Sequence, residues 1–234
     1  MAPRPERPLA GTVALTVCTR SHLPSARVLL AGLRRHAPGL PLRVIVVDAT
    51  PGEDVALPGA EVVAGEELGD PRFPWMTLKF LPAELCCALK PTVVRQALEQ
   101  GAARVLYLDS DIQVLGPLDT LLAPLDDCDW VVVPHARRQL DPTEAVGGMP
   151  DVGDLTLCGV LNAGLFSVRR GSLPLRYLER WGAWCRGPEA FLGSWWGGLT
   201  EQQLFGWVVS CGGRVEVEST LGKGTRFRVE LPLA

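Results

Sequence analysis

The segment "RVLYLDSDIQVLGPLDTLL", residues 104–122, places two aspartates directly after an apolar run that predicts a buried strand. In an extended backbone, residues i and i+2 point the same way, so Asp109 and Asp111 are expected to present both carboxylates to one cavity. Two such charges repel by roughly 1 kcal/mol in water and by several times that in a cleft. Either one carboxylate therefore takes a proton, or a divalent cation lies between them. The alternative for a bare D-x-D is a polar turn in which one Asp caps the next element.

The rest of the chain alternates between strand and helix patterns. Strands that are apolar throughout, separated by amphipathic helices, indicate an α/β fold with a mainly parallel sheet covered on both faces. Ligands of such sheets bind beyond the carboxyl ends of the strands, where Asp109 and Asp111 fall. The predicted strands are 12–18, 42–48, 61–65, 104–109, 129–134 and 159–171 (one strand or a bent pair). One predicted helix begins at Pro24. Three further predicted helices cover 77–100 (broken at Lys90-Pro91), 173–186 and 200–209.

Composition and charge narrow the class of protein. Apolar residues make up 47% and the net charge is −3, so a sizeable core is expected, with no basic surface for nucleic acid or anionic lipid. The seven cysteines contain no C-x-x-C pair, which favours free thiols in a reducing compartment. With no signal peptide and no apolar run long enough for a transmembrane segment, we expect a soluble, cytoplasmic protein.

Five segments together resemble a known family. "LYLDSDIQVLGPLDTLL" resembles the D-x-D region of nucleotide-sugar-dependent glycosyltransferases of the GT-A fold, in particular family eight and its bacterial relatives. Four more segments agree in order, and the resemblance covers roughly residues 12–209. These segments are "VCTRSHLPSARVLLAGLRRH", "LKPTVVRQAL", "LNAGLFSVRRGSL" and "LTEQQLFGWV".

The resemblance implies a fold, an activity and a cofactor. The fold would be a GT-A (Rossmann-like) mixed, mainly parallel sheet flanked by helices. The activity would be transfer of a sugar from a nucleotide-sugar donor, expected to be UDP-linked, to a glycan or other acceptor, with retention at the anomeric carbon. Mn²⁺ or Mg²⁺ would be held by Asp109 and Asp111 on the diphosphate. The negative charge on the departing nucleoside diphosphate would be stabilised by this cation and by Lys90 or Arg20.

The resemblance also implies a set of site residues. Asp109, Asp111, Glu201 and Gln202 would be catalytic, and Glu201 stands where the family usually has Asp. The donor-binding residues would be Thr16, Thr19 and Arg20 beside the nucleoside, Ser110 near the ribose, Lys90 towards the donor, and Asn162, Ala163 and Gly164 around the sugar. Plainer interpretations remain: Asn162 as a turn residue, Glu201-Gln202 as a helix start, and Lys90 as a helix end.

The end of the chain departs from this family. Residues 212–234, "GGRVEVESTLGKGTRFRVELPLA", resemble the last strands of a histidine kinase ATP-binding domain, and their alternation predicts a β-hairpin. We therefore predict an N-terminal extension (1–11), a C-terminally truncated glycosyltransferase domain (12–209) and a hairpin tail (210–234).

No His follows His135, although the family usually supplies a third metal ligand, a His, from its C-terminal part. A weak or inactive nucleotide-sugar-binding pseudoenzyme is therefore an alternative. A more remote one is a nucleotide-binding module related to histidine kinases. That module's asparagine box is absent, and only the last 23 residues carry the likeness.

Overall fold

The computed structural model describes residues 9–134, 161–187, 214–220 and 224–230. Within these residues, six strands form one sheet and two strands form a hairpin. The strands are β1 (Thr12–Cys18), β2 (Leu42–Val46), β3 (Glu61–Ala64), β4 (Arg104–Leu108), β5 (Trp130–Pro134), β6 (Leu161–Arg169), β7 (Arg214–Thr220) and β8 (Gly224–Glu230). The α-helices are α1 (Leu23–His36), α2 (Phe73–Lys79), α3 (Pro82–Glu99), α4 (Asp119–Leu122) and α5 (Ser172–Cys185).

The sheet is mixed and mainly parallel, as the sequence predicts. Its strand order is β3-β2-β1-β4-β6-β5. The pairs β3–β2, β2–β1 and β1–β4 are parallel, whereas β6 runs antiparallel to both β4 and β5. Because β6 runs against β4, the beginning of β6 lies beside the end of β4. The carboxyl edge of the parallel strands therefore also receives the first residues of β6.

Helices cover both faces of the sheet, and alternate residues of β1 face opposite layers. Ala14 and Cys18 belong to the core that α1 completes with Ala26, Leu29, Leu30 and Leu33, the four positions expected from the sequence. Leu15 and Val17 belong to the other core, which α2, α3 and α5 complete. This two-sided burial explains why the strands are apolar throughout.

The helix preceding β4 differs from its prediction. The sequence predicts a break at Lys90-Pro91, but α3 runs through Pro91, and the break lies at Phe80-Leu81. Leu81 is extended, Pro82 occupies the first turn, and the Glu84 carboxylate accepts the Leu81 N–H at 2.8 Å. A proline inside a helix costs about 3 kcal/mol. Burial of Leu89, Val93 and Val94 from the same stretch offsets that cost.

An aromatic cluster fixes β4, β5 and β6 against α5. The Tyr107 and Phe166 rings are stacked, with centroids 5.0 Å apart and planes 12° apart. Trp130 and Trp181 make tilted contacts with Phe166, and Tyr177 contacts both of these tryptophans. Such contacts add to the burial of large apolar rings, so the Tyr107 ring has a fixed position in the core.

The hairpin predicted for the tail is confirmed. β7 and β8 pair antiparallel, and the register places Glu216 opposite Arg228 and Glu218 opposite Arg226. The predicted helix 200–209 lies outside the described residues.

The described cysteines are free thiols: Cys18 and Cys185 are buried, and the other three are half-buried. Burial raises the pKa of Cys185 to about 12. No described helix is both long enough and apolar enough to cross a membrane.

Candidate active site

The acidic segment after β4 forms a turn rather than an extended strand. β4 ends at Leu108, and the Ile112 N–H donates to the Asp109 carbonyl at 3.0 Å. The prediction that strand periodicity aims both carboxylates the same way is therefore corrected. Asp109 and Asp111 lie on one tight turn at the carboxyl edge of the sheet. The reason is local: Asp and Ser favour turns once the ladder of backbone hydrogen bonds ends.

Asp109 is paired with a buried lysine. Lys90 Nζ lies 3.0 Å from Asp109 Oδ1 and 3.3 Å from Oδ2, and it donates to the Ala163 carbonyl at 3.3 Å. The Lys90 side chain is 6% exposed, whereas that of Asp109 is 36% exposed. Lys90 therefore neither ends a helix nor faces solvent. It connects the end of β4 to the start of β6, while the outer side of Asp109 stays open.

Tyr107 supplies a second contact to the same carboxylate. Its hydroxyl donates to Asp109 Oδ1 at 3.1 Å, and Lys90 Nζ lies 5.1 Å from the centre of its ring. Burial, followed by the nearby Asp109 charge, raises the pKa of Tyr107 well above its ordinary value. The hydroxyl therefore keeps its proton at any physiological pH and remains a donor to Asp109.

The first residues of β6 meet this turn through a bulge. The register of β5 and β6 shifts between Val132 and Val133, which partner Phe166 and Asn162. Gly164 turns towards β4, and its carbonyl accepts the Asp109 N–H at 2.7 Å. Asn162 Oδ1 accepts the Gly164 N–H at 2.7 Å, which is the turn-stabilising role left open by the sequence. Bulges of this kind are frequent beside active sites, where they redirect side chains.

A side chain at position 164 would occupy the space that the Asp109 carboxylate fills, which favours glycine there. An ideal Cβ at Gly164 would lie 2.5 Å from Asp109 Oδ2 and 2.9 Å from Asn162 Oδ1. The structure thus brings Asp109, Lys90, Asn162, Ala163 and Gly164 together.

Asp111 and Ser110 occupy opposite environments in the turn. Ser110 is buried, whereas Asp111 is exposed and makes no hydrogen bond or ion pair with any described residue. In the described part of the chain, no three His, Cys, Asp or Glu side chains lie close enough together to hold a metal ion. Asp109 and Asp111 are thus the carboxylates that this turn offers to a cation.

Thr16 and Thr19, both predicted to border the nucleoside, lie in different environments. Thr16 is fully buried, and its hydroxyl has no hydrogen-bond partner among the described residues, so it does not reach a ligand at the surface. Thr19 follows β1 at the carboxyl edge. Its Oγ1 lies 2.8 Å from Ser21 Oγ and 2.9 Å from His22 Nδ1. Thr19 therefore stabilises the loop that leads into α1.

Arg20 is bound by Asp48 and Glu53 of the same chain. Its guanidinium binds both oxygens of Glu53, its Nε donates to the Asp48 carbonyl, and its backbone N–H donates to Asp48 Oδ1 at 2.8 Å. It fastens the loop after β2 to the loop after β1. The structure thus gives Arg20 a loop-fastening role, and its place beside the nucleoside of a donor stays a prediction.

The Arg20–Glu53 pair predicts a pH dependence. Its hydrogen bonds lower the pKa of Glu53 from 4.5 to about 2. Because the folded-state pKa is depressed, the stabilisation is present above pH 4.5 and is lost as the pH falls towards 2. Thermal unfolding between pH 5 and 2 should show a smaller loss of stability for Glu53→Gln than for wild type. Glu66→Gln, which removes an exposed carboxylate without a described partner, should follow wild type. Equal slopes for Glu53→Gln and wild type would contradict the pair's contribution.

Some site residues were not predicted, and two predicted ones cannot be placed. Glu201 and Gln202 lie outside the described residues. Tyr107 was missed, although its position two residues before Asp109 on one strand was a usable signal. Glu53 was missed because nothing in the sequence ties it to Arg20.

One cavity lies away from these residues. It has a volume of about 770 Å³ and is found at the opposite edge of the sheet, where β1 and β4 begin. Its lining is mostly apolar and includes Leu9, His36 and Asp119.

Comparison with known proteins shows the fold. No protein-family model matches the sequence, and no curated protein matches it. The galactosyltransferase LgtC, solved with donor and acceptor sugar analogues, matches with a TM-score of 0.50 and 13% identity, over 82% of this chain and 70% of that one. This chain has the GT-A fold.

Two further solved structures match with lower TM-scores. Mouse xyloside xylosyltransferase 1 gives a TM-score of 0.44 and 18% identity, over 75% of this chain and 73% of that one. The glycosyltransferase GlyE of Streptococcus pneumoniae TIGR4 gives 0.48 and 15%, over 83% of this chain and 43% of GlyE. The chain therefore spans less than half the length of GlyE.

Proposed function

We propose that this protein transfers a sugar from a nucleotide-sugar donor, expected to be a UDP-sugar, to a glycan or another acceptor. The observation that carries the proposal is the meeting of turn 109–111 with bulge 162–164 at the carboxyl edge of the sheet. Ligands of open α/β sheets bind at this edge. The GT-A fold supports the proposal, because a galactosyltransferase shares it.

Asp109 and Asp111 would hold Mn²⁺ or Mg²⁺. These ions take oxygen ligands, commonly one or two carboxylates together with substrate phosphates, so two neighbouring aspartates and a diphosphate form a suitable set. Asp111 fits because it is exposed and has no competing described partner, and Asp109 fits because its outer side is open. When bound, the ion would stabilise negative charge on the departing diphosphate.

The chain's own residues would do the remaining work. Lys90 holds Asp109 against the start of β6, and Asn162 and Gly164 shape the space beside it. We propose that Glu201 and Gln202 face the reacting sugar, with retention at the anomeric carbon. A neutral amide is a poor nucleophile, so Gln202 would stabilise positive charge on the sugar rather than attack it.

A second candidate is a protein that binds the donor without turning it over. Arg20 favours it, because that guanidinium is already bound by Glu53 and Asp48. Release of free sugar from a panel of UDP-sugars distinguishes an enzyme from such a binding protein.

The proposal is tested by calorimetric titration of UDP with and without Mn²⁺. We expect Mn²⁺ to strengthen UDP binding to wild type and to have no such effect on Asp111→Asn, since this change removes an exposed carboxylate from the turn. The matched control is Asp127→Asn, which alters an exposed aspartate just before β5, at the opposite edge of the sheet.

Each arm of the titration has a contrary result. UDP affinity that is equal with and without Mn²⁺ in wild type would exclude the metal. Absence of UDP binding under both conditions would contradict a UDP-linked donor. Loss of the Mn²⁺ effect in Asp127→Asn as well would show that Asp111 is not specifically involved.

A further inference from the structure

Tyr107 carries a buried hydroxyl whose described partner is a carboxylate of the proposed site. The residue is fully buried, and its O–H donates to Asp109 Oδ1 at 3.1 Å. A buried hydroxyl needs a hydrogen-bond partner to offset its desolvation. Here the partner is the Asp109 carboxylate, which is itself partly exposed to solvent. The hydrogen bond therefore restricts the position of both the hydroxyl and the carboxylate.

The Tyr107 ring cannot follow the carboxylate if the latter rotates. It stacks on Phe166, its direct partner across β4 and β6, with centroids 5.0 Å apart. Lys90 Nζ lies 5.1 Å from the centre of the same ring. Packing in a protein core leaves little room for an aromatic ring to shift. The hydroxyl oxygen is therefore a fixed point beneath Asp109.

Lys90 alone does not fix the rotation of the Asp109 carboxylate. Its Nζ contacts both oxygens, at 3.0 Å and 3.3 Å, so the pair tolerates a turn of the carboxylate about its axis. The Tyr107 hydroxyl donates to Oδ1 and not to Oδ2, so this hydrogen bond selects one rotation of the carboxylate. Oδ2 then lies on the side of Gly164, where a Cβ would occupy its space.

We propose that Tyr107 is a positioning residue: its hydroxyl fixes the rotation of the Asp109 carboxylate so that Oδ2 keeps lone pairs available for the cation of the donor complex. This inference rests on the proposed function, because it assigns Asp109 the role of a metal ligand. Partners that orient a metal ligand typically account for about 10- to 100-fold in metal affinity.

The test is Tyr107→Phe, which keeps the ring stacked on Phe166 and removes the hydroxyl oxygen. Titration of Mn²⁺ in the presence of saturating UDP should give a Kd about 10-fold higher than that of wild type. The affinity for UDP without metal should stay within about twofold, because the change acts only through Asp109. The matched control is Tyr177→Phe, which changes the other tyrosine of the same aromatic cluster and should leave the Mn²⁺ Kd at the wild-type value.

The outcomes separate this inference from the proposed function. An unchanged Mn²⁺ Kd in Tyr107→Phe, with Mn²⁺-dependent UDP binding in wild type, would overturn the positioning role and leave the function intact. Equal weakening by Tyr177→Phe would also overturn it, since the cause would then be general loss of packing. Wild type without Mn²⁺-dependent binding would overturn the proposed function, and the positioning role with it.

Discussion

Replacing Asp109 with alanine is expected to lower the free energy of unfolding by about 3–5 kcal/mol, because Lys90 loses its carboxylate while its charge stays buried. The Tyr107 hydroxyl loses its acceptor at the same time. Urea unfolding measures the free energy. The melting temperature should fall by about 6–20 °C, given roughly 2–4 °C per kcal/mol for a chain of this size.

A double-mutant cycle tests whether the stability loss in Asp109→Ala comes from the Lys90–Asp109 pair. Lys90→Met alone should cost about 1–3 kcal/mol, since Asp109 is partly exposed and water can solvate it. Adding Lys90→Met to Asp109→Ala should recover part of the loss, because the buried Lys90 charge that has lost the Asp109 carboxylate is then removed. Asp111→Ala is the control for a carboxylate without a described partner, and it should change stability by less than about 0.5 kcal/mol. Strictly additive losses in the double mutant would contradict the coupling.

Replacing Gly164 with alanine is expected to remove the Mn²⁺ dependence of UDP binding and to cost about 1–3 kcal/mol of stability. The new Cβ would lie 2.5 Å from Asp109 Oδ2, so the carboxylate must rotate away from its position. Lys90 and Tyr107 hold that carboxylate from below, which leaves it little room to do so. Calorimetry with and without Mn²⁺, together with urea unfolding, measures both effects.

Gly116→Ala is the matched control for Gly164→Ala. Gly116 follows the same acidic turn, but a Cβ there meets no atom within 4 Å, and its backbone is not in the left-handed region. We expect wild-type Mn²⁺ dependence and stability for this variant. Wild-type behaviour of Gly164→Ala would show that Asp109 does not need the space beside Gly164.

The sequence predicts the sheet and α1 well, because burial on both faces leaves a signal in single segments. β1 is apolar except for Thr12 and Thr16, and α1 carries its buried residues at helical spacing. α3 was predicted less well, because proline is locally unfavourable in a helix while tertiary packing decides the outcome. Leu89, Val93 and Val94 around Pro91 are all buried, and that burial cannot be derived from the local rule.

The site could be predicted only in part, because its contacts join distant segments. That Asp109 is a candidate follows from the sequence, and a polar turn was one of the two conformations left open for this segment, but residue preferences alone do not decide between strand and turn. The partnership of Lys90 with Asp109 requires α3 to lie under the end of β4. The pairing of Arg20 with Glu53 likewise requires two loops to meet, so it could not be predicted from either segment.

The position of β6 between β4 and β5 bears on the order in which the chain can assemble as it leaves the ribosome. β4 emerges long before β6, so one edge of β4 has no native partner until residues 161–169 have been synthesised. An open edge of this kind can pair with another nascent chain. β5, whose strand partner among the described residues is β6, must wait for the same insertion. The late arrival of one strand therefore closes the described sheet and completes the edge of the proposed donor site in a single step.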